Sequence, residues 1–398
     1  MPLAGFVNRD ARAAALPTPP GLIQGLWLRR GPATVQVYLL ADLLYFPDHL
    51  AQRLRTFLAD RYAIGPERLI AGATHTHTGP QLGFFAGTDP QVAYQERLFE
   101  RLCASFPVAA DFEPVRLARA EIALDATVSI NRRRVLRRGP FRRTFLWPNP
   151  RNSPPTHLAA LRVDFAHRRP VVLASLAVHP ICDRSLHLGT DFPGALRAAL
   201  RHDYRLLLFQ GFGGDRRPGR LDHTPWYGAR RVTWGYRLRR FLLGPGFPRY
   251  QRTIFLAFVE QLAAAFLQLR FQPLSVRTDA ASIHHLPLPS RTGRSRKTLQ
   301  VQLVQLGEVL FIGLNAEVFQ RYEVAVRRSF PRLPIVLLGC VNGSVGYLPT
   351  PTAMANGGYE VSDAPIWNGM DAAFSDAAIA RVEPWLIGCI RQFLSRGE

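Results

Sequence analysis

Apolar runs rich in Val, Ile, Leu and Phe recur along the chain: VQVYLLADLLYF (35–46), ERLIAGATH (67–75), AALRVDF (159–165), PVVLASLAVH (170–179), YRLLLFQGF (204–212), LQVQLVQLGEVLFIGL (299–314) and PIVLLGCV (334–341). Short continuous runs bounded by Gly, Pro or polar residues read as strands buried on both faces. Between them lie stretches with apolar residues three or four apart: 47–62, 91–106, 254–269, 317–330 and 377–394. Those are helical patterns. Strands interspersed with helices predict an α/β (mixed α+β) fold, with central mixed β-sheets flanked by helices. No internal repeat and no low-complexity linker interrupts the chain, so residues 1–398 read as a single domain. From Arg216 to Arg252, Pro, Gly and aromatic residues break any period, which marks 216–252 as a basic, aromatic insertion or lid.

Polar residues with chemistry in them sit where the strands end. LASLAVHP delivers His179, LFQGFGGD delivers Asp215, LFIGLNAE delivers Glu317 and LLGCVNGSVGY delivers Tyr347. Loops at strand ends, carried on a rigid sheet, are where catalytic groups collect. In AGATHTHTGP, His75 and His77 would share one face if the strand ran through them, because side chains alternate along a strand. Two imidazoles on one face begin a zinc site; two hydrogen-bonded loop histidines fit the stretch equally well. His75, His179 and Glu317 would together offer two imidazoles and a carboxylate, but their spacing alone does not establish the set.

Composition narrows the class. The 398 residues, 47% hydrophobic and 20% charged, can bury a large core and describe a globular protein. No run approaches the length of a membrane helix. The start, MPLAGFVNRDARAAALPTPPG, shows neither a basic, apolar leader nor an opening strand, so the reading is cytoplasmic, with a start lying inside a longer ancestral domain. Cys103, Cys182, Cys340 and Cys389 are scattered and read as buried reduced thiols.

The formal net charge of +21 rests on arginine, Lys297 being the single lysine. Arginines concentrate in NRRRVLRRGPFRR (131–143) and in RRVTWGYRLRRFLLGPGFPRYQR (230–252). The second block interleaves Trp, Tyr and Phe, which suits peripheral contact with an anionic membrane surface. Neither block carries a nucleic-acid-binding signature, and a solvated arginine surface is the favoured description.

ATHTHTGP, INRR, AVHP, GTDFPGAL, QGFGGD, NAEVF and VNGSVGYLPTPTAMANGGYE, taken in this order, resemble the catalytic domain of the neutral/alkaline ceramidase family. These are zinc-dependent amidases that cut ceramide into sphingosine and fatty acid. The resemblance implies Zn2+ ligands at His75, His179, Glu317 and Tyr347. It places His77 at the substrate and near the developing oxyanion, Tyr359 as an oxyanion donor, and Arg132 beside the substrate. Asn315 stands where the family usually has proline. In GDRRPG, Arg217 stands where the family usually has a serine of nucleophilic or supporting role. The family's C-terminal β-sandwich has no counterpart before the chain ends.

The resulting expectation is a zinc-dependent amidohydrolase that uses zinc-activated water on a linear amide. Its substrate would be a small-molecule or lipid N-acyl compound, not necessarily ceramide. The competing expectation is a catalytically silent relative that binds a lipid or metabolite, which Arg217 makes credible.

Overall fold

The computed structural model describes residues 21–31, 34–80, 82, 89–107, 112–138, 141–183, 187–221, 233–248 and 252–396. The expected mixed α/β architecture is present, built on three larger sheets. The first joins Ile23–Arg30 antiparallel to Thr34–Ala41, which runs parallel to Leu69–Ala73. The second orders Arg205–Gln210, Val171–Leu176, Thr156–Phe165, Val115–Leu124 and Gln272–Leu274, with the first two parallel. The third orders Asp279–Pro289, Arg296–Leu306, Val309–Leu314 and Ile335–Leu338, with the last two parallel.

The continuous apolar runs have a simple cause. Tyr38, Ile70, Leu207, Phe209, Phe311, Val336 and Leu338 point from the three sheets into one shared core. Their neighbours point the other way, beneath helices. Val37, Leu39 and Ala71 pack with Leu50 and Leu54 of the helix Asp48–Tyr62. Val172, Ala174 and Leu208 lie with Phe258 and Leu262 of the helix Arg252–Leu267. Leu310, Ile312 and Leu337 lie with Ile379, Val382 and Leu386 of the helix Asp376–Leu394. With both faces buried, alternation carries no polar residues and the strand reads as an unbroken run.

Strand ends from all three sheets are stitched together by backbone hydrogen bonds. Gly339 N donates to Gln210 O (2.7 Å), Cys340 N to Ala316 O (3.0 Å) and Ala73 N to Cys340 O (3.3 Å). Short added pairings bring further segments to this place. Glu317–Val318 runs parallel to Tyr347–Leu348 with Glu317 opposite Tyr347, and Arg216–Pro218 pairs with Ser129–Asn131.

Some boundaries differ from expectation. The strand expected to run through His75 and His77 stops at Ala73, because His75 adopts a left-handed φ of 63°. The period-2 argument for their sharing a face therefore does not apply. The block 131–143 is not uniformly solvated either: Arg132 and Arg133 are buried, and together they grip the buried Glu360. Much of it forms a hairpin, Arg133–Arg138 with Phe141–Leu146. Within 216–252, the helix Trp234–Leu243 is described, while 222–232 and 249–251 lie outside the described residues. The expectations about the start fall on residues 1–20, which also lie outside. Among the described residues no helix is long and apolar enough to cross a membrane.

Candidate metal centre

His75 is delivered just past Leu69–Ala73, and its ring is oriented by a hydrogen bond between Nδ1 and Leu44 O at 2.8 Å. His179 follows Val171–Leu176 and is oriented in the same way by Gly213 O, 2.9 Å from its Nδ1. A carbonyl only accepts, so each Nδ1 carries a proton, and whenever the ring is neutral its Nε2 presents a lone pair. Those two Nε2 atoms lie 3.2 Å apart. Glu317 Oε2 completes the group, 3.2 Å from His75 Nε2 and 3.0 Å from His179 Nε2. Two imidazole lone pairs and a carboxylate oxygen repel one another unless a metal cation, or a proton on one imidazole, sits among them. All three side chains are buried, so water cannot relieve that repulsion. This donor set fits a divalent metal of zinc's kind, which takes imidazole nitrogen and carboxylate oxygen.

Without a metal, a proton on His75 takes the cation's place. Burial, with Arg132 adding to it, lowers His179 to about pKa 4, leaving it neutral at physiological pH. Burial opposes charge on His75 too, yet Cys340 and Glu317 carry its pKa well above the usual histidine value. Burial likewise opposes a charged Glu317, but the two imidazoles hold its pKa well below the ordinary carboxylate range. The pocket is arranged to hold one anion against one positive charge.

The remaining expected site residues lie close by. Ligating nitrogens of His75, His77 and His179 all fall within 4.8 Å of one another, so His77 is near enough to belong to a three-histidine set. Its ring stands nearly perpendicular to that of His75, at 89°, with centroids 5.1 Å apart. Tyr347 brings its hydroxyl to 3.5 Å from His179 Nε2. Burial pushes its phenol well up, and Arg132, whose guanidinium lies 5.3 Å from the Tyr347 ring centroid, works against that push. Arg132 is steadied by Glu360, whose Oε1 accepts from its Nε at 3.0 Å. The ring of Tyr359 lies 6.0 Å from that of Tyr347, and burial raises its phenol to about 12, so it remains a donor.

Asp215 acts as a tie. Its carboxylate accepts from Asn131 Nδ2 (2.7 Å) and Gln320 N (2.9 Å), and its carbonyl from Arg132 N (2.9 Å), joining the Arg132 and Glu317 segments. Arg217 lies opposite Ile130 with its guanidinium 3.9 Å from the Phe247 ring centroid, and its charge acts on the Cys182 thiol.

Sequence reasoning missed several participants. Tyr45 donates to Glu317 Oε1, Cys340 Sγ lies 3.7 Å from His75 Nδ1, and Glu360 holds both buried arginines. Tyr45 and Cys340 sit within apolar runs that read as core, so nothing in the pattern distinguished them. Glu360 lies beside Tyr359, within a motif already quoted, and that adjacency was its available signal.

No family model matches this sequence, and no curated protein matches it. Solved structures do. The crystal structure of neutral ceramidase from Pseudomonas aeruginosa superposes with a TM-score of 0.64 at 14% identity, covering 92% of this chain and 68% of that one. A structure described as ceramidase complexed with C2 gives 0.63 at 14% identity, covering 94% and 70%. At such identity the likeness shows a shared fold.

Proposed function

We propose that this protein is a zinc-dependent amidohydrolase that cleaves an N-acyl compound, with His75, His179, Glu317 and Tyr347 holding the metal. The observation that carries this reading is the convergence of two carbonyl-oriented imidazoles on Glu317 Oε2. When bound, zinc supplies a Lewis acid for the amide oxygen and lets water ionise near neutral pH. Tyr359, kept a phenol, donates a hydrogen bond to that oxygen as it gains charge, a contribution of about 2.7–4 kcal/mol for one well-placed donor. Arg132, fixed by Glu360, keeps positive charge against Tyr347 and the acyl group. His77 takes the proton that the attacking water gives up and passes it to the nitrogen as the C–N bond breaks, so the amine leaves neutral.

The likeness to neutral ceramidases supports the reaction class. Arg217 bears on the substrate: a guanidinium cannot attack a carbonyl, so water is the nucleophile in this reading. Arginine pairs bidentately with carboxylate or phosphate, which favours an acidic N-acyl compound over neutral ceramide. The same residue supports the second reading, a silent relative that binds such a compound without cleaving it.

Metal analysis of the purified protein, alongside a screen of neutral and anionic N-acyl substrates, tests both. About one zinc per chain is expected, lost in His179→Ala, with hydrolysis of at least one amide. Stoichiometric zinc in His179→Ala overturns the ligand set. Zinc without turnover on any amide selects the silent reading.

A further inference from the structure

We propose that the helix Trp234–Leu243, with the arginine hairpin beside it, is a docking face for an anionic lipid bilayer. The helix is amphipathic in the reverse of the usual sense. Trp234, Leu238, Phe241 and Leu242 are 80%, 48%, 78% and 51% exposed. At 3.6 residues per turn these four form one continuous stripe. Arg240 and Leu243, on the opposite side, are the buried residues. Arg237 and Arg239 fall on either flank of the stripe. A helix of a water-soluble domain turns its apolar stripe to the core, and large exposed apolar patches with a polar rim mark an interaction site. Trp and Phe edged by Arg suit a membrane surface, where the rings enter the acyl boundary and the cations meet lipid phosphates.

The surroundings add charge of one sign. Arg133–Arg138 and Phe141–Leu146 carry six arginines and no acidic residue; Arg133 is buried on Glu360, whereas Arg137, Arg142 and Arg143 are exposed. Trp147, directly after the hairpin, packs its ring 5.2 Å from that of Tyr236 and donates from Nε1 to Gly244 O at 3.3 Å. The helix is thereby fixed to the base of the hairpin, where Leu146 is also exposed. At its other flank the hairpin rests near the metal centre: Thr144 Oγ1 donates to Asn356 O (2.7 Å) and Arg142 to Ala355 O (3.3 Å), a few residues before Tyr359. Charge complementarity selects the occupant. A nucleic acid would satisfy the arginines but offers no hydrocarbon for Trp234 and Phe241. A second copy would bring another net charge of +21 against the first. An anionic bilayer satisfies both features, and this inference stands independently of the reaction assigned above.

Co-sedimentation of the purified full-length protein tests the proposal. The vesicles are phosphatidylcholine alone, or phosphatidylcholine with about a third phosphatidylserine. Binding is expected to the anionic vesicles and to weaken by about tenfold or more in Trp234→Ser/Phe241→Ser, while Trp234→Phe retains it. Because both residues are exposed, the double variant should unfold at the wild-type temperature, which separates lost docking from lost folding. Undiminished vesicle binding by the double variant overturns the proposal, as does absence of binding by the wild type. Two other results also overturn it: a DNA duplex that displaces the protein from vesicles while binding wild type and double variant equally, or a dimer that the double variant cannot form and that ignores vesicles.

Discussion

The backbone carbonyls of Leu44 and Gly213 decide what His75 and His179 can do, because each takes one ring N–H and leaves Nε2 as the lone-pair nitrogen. His75 needs its left-handed backbone to reach that position, and the Leu44 bond holds it there. His75→Ala should therefore lose zinc in a metal assay. His77→Ala should retain most of it and lose turnover, since Glu317 and Tyr347 remain; equal loss in both variants would make the tandem pair a joint chelator. A separate residue sets a pH dependence. Asp191 is buried and accepts from Asp183 N (2.7 Å) and Phe192 N (2.6 Å), steadying the loop after His179. Burial raises its pKa to about 7. The folded form therefore holds this proton at pH values where the unfolded chain has released it. Its contribution to stability is complete below about pH 4 and is lost as pH rises through about 7. Denaturant unfolding across that window should show a downward slope in wild type that is shallower in Asp191→Asn; parallel profiles would refute the assignment.

At the scale of elements, the centre depends on how closely strand ends approach. A Cβ on Gly214 would stand 2.3 Å from Glu317 O, and one on Gly72 would stand 2.5 Å from the Phe209 ring. Glycine at these positions reflects space as much as backbone freedom. Gly214→Ala should push the Glu317 segment away and weaken zinc affinity, readable by titration with a chelating indicator, even where the protein still folds. Phe311 shows the other side of the same packing. It is fully buried in the core shared by the three sheets, 5.3 Å in ring centroid from Tyr38. Phe311→Ala should cost about 3–5 kcal/mol of unfolding free energy in denaturant titration, through lost burial and the cavity left behind.

For the whole molecule, one core joining three sheets implies one cooperative unit. Calorimetry should give a single transition whose van't Hoff and calorimetric enthalpies agree. Zinc bound only by the folded form should raise the midpoint, and a chelator should lower it, with no such response in His179→Ala. Two transitions, or a midpoint indifferent to zinc, would contradict a metal centre assembled from all three sheets.

The sequence by itself determined the strands and helices of the core, since burial on both faces writes continuous apolar runs and burial on one helical face writes the 3.6 period. It also placed His179 and Glu317 just after strands, Tyr347 in the loop beyond another and His75 within a run expected to continue as a strand, and a resemblance in motifs gathered them into one expected set. Only the tertiary structure decided that these ends meet. The contacts His75–His179 and His75–Glu317 span more than a hundred residues, and they depend on cross-links such as Gly339 N to Gln210 O that leave no mark on local pattern. The same limit explains the arginines. Arg132, Arg133 and Arg239 look alike in sequence, yet Glu360 takes the first two into the interior while Arg239 stays at the surface, donating to the backbone carbonyl of Gly235. Charge is a property of the residue, but its solvation depends on which distant group folds against it.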